Sequence, residues 1–129
     1  MNTLVKFELA KLLKEKRFDK PINSFYTDTG KLWKQRKQIP TANYNAYPKN
    51  PNSKLFYKYG YSAPTIAKVV MWLYEKHGIW IAVTQELGYT TTFCYQIMGE
   101  HISATYKPYF KTPTKAYEAA IEFTLENLI

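Results

Sequence analysis

Lys31, Trp33, Lys34, Arg36, Lys37, Tyr44, Tyr47, Lys49, Lys54, Tyr57, Lys58 and Tyr59 interleave cations with flat aromatic rings along one stretch of the chain. Cations neutralise phosphates and release their counterions, while rings stack on bases at about 1–3 kcal/mol each. Together they form a kit for single-stranded nucleic acid or for a nucleotide held in a pocket. The same residues would also serve a loop that pins itself down, with rings turned inward and lysines left in solvent. An acidic host protein is a third partner that these cations could meet.

Other side chains with chemical potential are sparse. His77 and His101 are the two histidines, and neither stands in an HExxH pattern. With one cysteine and scattered acids they fall short of the three or four ligands of a zinc site, so no metal is expected. Cys94 lies among threonines and aromatics with no local base or helix N-terminus to activate a thiol, which makes it a small packing residue. Ser24, Ser53, Ser62 and Ser103 lie outside any GxSxG elbow, and the five glycines are isolated, so no phosphate loop is formed. Glu118, Glu122 and Glu126 share one helix face as a solvated stripe. A non-catalytic protein without a cofactor is expected, unless folding brings His101 and Cys94 into one concavity.

Charge points to the same region. Residues 1–61 carry thirteen Lys or Arg against four acids, a net of +9, while residues 62–129 carry five against six, a net of −1. All the excess positive charge lies in the first half, which implies an anionic partner met there. The bland alternative is that lysines keep an irregular segment soluble.

The elements that must position these residues are built around Ser62–Ile81. Ile66, Val69, Val70 and Leu73 recur at helical spacing, with Ser62 as cap, Pro64 in the first turn and Gly78 as stop. Val69, Val70 and Leu73 should be buried against a sheet, with Trp72 or Tyr74 partly exposed. His77 faces the negative end of the helix dipole as a cation. Upstream, Thr3–Arg17 forms a helix capped by Asn2 or Thr3 and stopped by Pro21, with Lys6, Lys11 and Lys14 on its basic back. Residues 22–61 combine prolines and five asparagines with nine aromatic rings. That composition predicts an ordered loop layer, with a helical turn in Lys31–Gln38 and an edge strand in Lys54–Tyr61. Downstream, Gly78–Gln85 is a strand apolar on both faces, hence central or covered on both sides. It turns at Glu86–Gly88 into a strand at Tyr89–Met98. A third strand lies within His101–Phe110, pushed to an edge by Pro108. Thr112 caps and Pro113 starts a closing helix with Tyr117, Ala120, Ile121, Thr124 and Leu128 on its inner face.

FELAKLLKEK, SAPTIAKVVMWLYEKHGIWI and AYEAAIEFTLENLI resemble a family of small uncharacterised accessory proteins of bacteriophages and mobile elements of gut Bacteroidales. The likeness covers the N-terminal helix and residues 62–129, and it carries no catalytic residue. It implies a phage-type protein that works by binding host components, including the inhibition of a host defence factor. TPTKAYEAAIEFTLENL is also loosely similar to the closing helix of double-stranded RNA-binding domains. The basic cluster at that helix start is reduced here to Lys115, and the exposed face is acidic.

These readings converge on a single α+β domain spanning 1–129, with three helices and a small antiparallel sheet of two or three strands. Its order is α, loop, α, β, β, a possible further β, and α. The chain holds no apolar run near the roughly 20 residues of a membrane span and shows no leader pattern, so a soluble cytoplasmic protein is expected. Residues 22–61 form the binding segment.

Overall fold

The computed structural model describes residues 3–34, 60–86 and 92–129, and for 104–108 the backbone alone. The fold is α+β, and the chain divides into two compact units, Leu4–Thr65 and Met1–Thr3 with Ile66–Ile129. The first unit holds helix α1 (Phe7–Glu15) and strands β1 (Ser24–Tyr26), β2 (Leu32–Lys34) and β3 (Tyr61–Ser62). The second holds helix α2 (Ile66–His77), strands β4 (Trp80–Glu86), β5 (Thr92–Gly99) and β6 (Ile102–Phe110), and helix α3 (Pro113–Asn127).

In the first unit the helix starts later than its periodicity suggests. Leu4 is bridged to Thr65, and the Val5 N–H donates to the Pro64 carbonyl at 2.9 Å, so the backbone stays extended until Lys6. Lys6 takes the N-cap position with no side-chain capping bond, in place of Asn2 or Thr3. The helix stops before Pro21, through a left-handed turn. The Phe18 N–H reaches the Leu13 carbonyl at 2.9 Å, and the Arg17 N–H reaches that of Lys14 at 3.1 Å. That pattern is a Schellman motif with Arg17 at φ 62° in the position usually held by glycine. Phe18 and Leu13 are both buried beside it.

The three short strands form an antiparallel sheet in the order β2-β1-β3, with Phe25 opposite both Trp33 and Ser62. This sheet corrects three expectations. Leu32–Lys34 is a strand and not a helical turn, because it pairs with β1. Ser62 is a buried strand residue and not the cap of α2. The fold has two sheets instead of one. Of the expected edge strand at Lys54–Tyr61, Tyr61 belongs to β3, and 54–59 lie outside the described residues. The segment 35–59 of the expected loop layer lies outside them too.

In the second unit α2 buries Ile66, Val69, Val70, Trp72 and Leu73 and packs on β4 and α3. Tyr74 is open to solvent while Trp72 is only 1% exposed. Gly78 ends the helix at φ 66°, its N–H bonded to the Tyr74 carbonyl at 3.0 Å. The sheet order is β4-β5-β6, so β5 is the central strand. β4 therefore lies at an edge among the described residues, contrary to its two apolar faces, and Trp80 is exposed on it. Residues 87–91, including the expected turn, lie outside the described residues. β6 lies at the other edge as Pro108 requires, with a register shift where Phe93 pairs with Phe110 and Tyr95 with Tyr106. Thr112 caps α3, its Oγ1 accepting from the Lys115 N–H at 3.1 Å, with Pro113 in the first turn. Its buried face is Ala116, Ala120, Ile121, Thr124 and Leu125, one step around from the expected stripe. Tyr117 and Leu128 are only half-buried.

Arg17 and Gly78 occupy the same left-handed region with opposite chemistry, which predicts opposite substitution effects. Arg17→Gly is expected to stabilise, and Gly78→Ala to destabilise, by about 0.5–1 kcal/mol each. That is the left-handed strain of a side chain less the extra freedom of an unfolded glycine. A Cβ at Gly78 meets nothing within 4 Å, so conformation alone sets its sign. Urea titrations in which both changes move the midpoint the same way would refute this account.

Candidate functional site

The site is presented by the β1–β2 hairpin of the first unit. Its turn is held from within: the Thr27 N–H donates to the Lys31 carbonyl at 2.9 Å, and the Gly30 N–H to that of Thr27 at 3.0 Å. The Thr27 hydroxyl accepts from the Lys31 N–H at 3.1 Å. Gly30 sits at φ 88°, a left-handed conformation that favours glycine, and a Cβ there would crowd the Phe7 ring at 3.3 Å. Phe7 thus seats the turn from α1. It also meets Tyr26 and Tyr61 edge-on, with ring centroids 5.5 and 5.6 Å away. The Tyr26 hydroxyl donates to the Val5 carbonyl at 2.7 Å.

On this support β2 carries Leu32, Trp33 and Lys34, all exposed. Strand alternation puts Trp33 on one face and Leu32 with Lys34 on the other. The Lys31 ammonium lies over the Trp33 ring, 5.1 Å from its centroid. Two further cation–ring pairs flank the support: Lys11 over Phe7 at 4.8 Å and Lys14 over Tyr61 at 5.0 Å. These two cations are partly engaged. Lys11 pairs with Glu8 at 3.0 Å, and Lys14 donates to the Gly60 carbonyl at 2.9 Å. Burial lowers the Lys14 pKa from its ordinary value. Lys14 therefore ties Gly60 to α1, while Lys31 and Lys34 stand at the surface.

Of the residues singled out by sequence, Lys31, Trp33 and Lys34 come together on the hairpin. Arg36, Lys37, Tyr44, Tyr47, Lys49, Lys54, Tyr57, Lys58 and Tyr59 lie outside the described residues. Sequence reasoning passed over Phe7, Lys11, Lys14 and Tyr61 as partners. Phe7 and Lys11 were within reach of it, since residues four apart on a helix meet. The Lys14–Gly60 hydrogen bond beside the Lys14–Tyr61 pair joins residues 46 apart, and only folding brings them together.

The second unit gathers other reactive side chains differently from their sequence reading. The Cys94 thiol donates to Glu86 Oε1 at 3.5 Å and lies 3.2 Å from Thr84 Oγ1. A carboxylate is thus within reach of the thiol, supplied by the neighbouring strand and not by the local sequence. His77 and His101 both line a hollow of 510 Å³, with Glu100, Ile79, Ile102 and Leu128 among its walls; Cys94 is not among them. His77 stands in the last turn of α2, as expected, next to Lys76. Burial, then the charge of Lys76, lowers its pKa, which disfavours its charged form as the helix-end cation. Among the described residues no three His, Cys, Asp or Glu side chains cluster as a metal site. Nor is any helix there long and apolar enough to cross a membrane.

Fold and site define an α+β chain that presents a tethered hairpin bearing a cation-over-ring pair. No protein-family model, curated protein or solved structure matches the chain.

Proposed function

We propose that this chain is a non-catalytic binding protein that engages an anionic partner, a nucleic acid or nucleotide-like ligand, through its basic and aromatic segment 22–61. It would act in the host cytoplasm, as the phage accessory proteins it resembles imply. The observation that carries this reading is the Lys31 ammonium over the exposed Trp33 ring, with Lys34 exposed on the other face of the same strand, on a hairpin braced by its own hydrogen bonds. Side chains that served only to pin a loop would be turned inward. These three face water, in the half of the chain with a net charge of +9.

Removing Lys34, Arg36 and Lys37 together should weaken binding to nucleic acid and leave the melting transition nearly unchanged, since the three lie in a run with little apolar content apart from Trp33. The salt dependence of affinity should flatten by about three units of slope at most. Changing Glu118, Glu122 and Glu126 to Gln is the matched control and should leave binding intact. If the glutamate triple loses the partner while the basic triple keeps it, the binding face has been misassigned to the first half. A partner from host lysate that survives nuclease and moderate salt would instead point to inhibition of a host protein.

A further inference from the structure

We infer that the partner is single-stranded nucleic acid, with Trp33 as the platform for an unpaired base and Lys31 as the contact to a flanking phosphate. This rests on the anionic-partner reading above and narrows it. Three features of the hairpin separate a single strand from the other anions.

The first is the ring itself. A polyanion without bases, or an acidic protein surface, is held by cations alone, and an exposed tryptophan adds nothing to that attraction. Trp33 is 47% exposed even with Lys31 lying over it, so open ring remains for a flat ligand. In a duplex the base faces are stacked on one another and only the ends offer a π-surface, whereas every base of a single strand can offer one.

The second is the separation of ring and cation. The Lys31 ammonium stands 5.1 Å from the centre of the Trp33 ring. A base and its own phosphate are separated on a similar scale, so one nucleotide can meet both side chains. The cation is already held over the ring, which limits the freedom its flexible stem must lose on binding.

The third is shape. A mononucleotide is usually held in a concave pocket that buries most of its surface. Among the described residues β2 is the edge of its sheet, and all three of its residues are exposed. An open ridge of that kind suits a strand that runs along it. Trp80 provides the internal comparison. It is also exposed, but its ring meets Tyr74 edge-on at 5.6 Å and lies in the half of the chain with a net charge of −1.

The test is a fluorescence titration of the full chain with a short oligothymidylate, a duplex of equal length, and heparin as a polyanion without bases. Oligothymidylate should quench tryptophan emission, and the quenching should vanish in Trp33→Phe but persist in Trp80→Phe. Trp33→Ala should weaken oligothymidylate binding by about 5- to 150-fold, the span of one lost stack. Trp33→Phe should restore most of that affinity. Neither change should alter heparin binding, and the duplex should bind more weakly than the single strand. If Trp33→Ala leaves oligothymidylate binding unchanged, or weakens heparin equally, the inference is overturned while the anionic-partner reading stands. If the chain binds none of the three at low salt, the anionic-partner reading itself falls.

Discussion

Leu73→Ala is expected to lower the stability of the chain by about 2–5 kcal/mol, the range for emptying a packed aliphatic site. Leu73 is fully buried on α2, together with Ile66, Val69, Val70 and Trp72. The helix presents this face to β4 and α3, so loss of three heavy atoms opens a cavity that three elements would have to close. Rigid side chains on the facing elements make closure incomplete: Ile81 on β4 and Ile121 on α3 are themselves fully or almost fully buried, and β-branched side chains have few rotamers to spare. Denaturant unfolding followed by far-ultraviolet circular dichroism measures the effect. A change below about half a kcal/mol, the level of a neutral surface substitution, would show that α2 is not the element around which the second unit packs.

Phe18→Ala should be at least as damaging in the first unit, by about 3–5 kcal/mol. Phe18 is 1% exposed, and its N–H closes the end of α1 by donating to the Leu13 carbonyl at 2.9 Å. Truncation empties the space beside Leu13 and removes the hydrophobic contact that accompanies the Schellman turn, leaving Arg17 in a left-handed conformation with less to hold it there. Phe18→Leu separates the two contributions. It keeps most of the apolar volume and should recover more than half of the loss. If Phe18→Leu is as destabilising as Phe18→Ala, ring-specific packing and not buried volume sets the cost. Binding by the hairpin should survive Phe18→Leu, because the side chains that seat the turn are Phe7 and Tyr26.

The parts legible in the sequence are those that local interactions decide. Leu73 and its companions are spaced for a helix, Gly78 can adopt positive φ at no steric penalty, and Thr112-Pro113 is a start signal that needs no tertiary help. The strands β4, β5 and β6 are consecutive and antiparallel, so their alternation and short connections are written within about thirty residues. The half-site Lys31, Trp33 and Lys34 was legible because cations and rings betray their chemistry by type alone.

What the tertiary structure decided depends on residues far apart in the chain. β1, β2 and β3 are two or three residues long, too short for any periodicity, and Phe25 finds Ser62 only through folding. That pairing takes Ser62 away from the α2 cap it seemed made for. The bridge between Leu4 and Thr65 likewise delays α1 past its own capping residues. Edge or centre is another non-local property: β4 has two apolar faces, yet β5 is the strand with partners on both sides. The carboxylate beside Cys94 comes from Glu86 through strand register, invisible to a search of the local sequence. Local propensity names the elements and the chemistry they carry. Pairing and burial, set by distant residues competing for the same backbone groups, decide which strands pair and which side chains stay exposed.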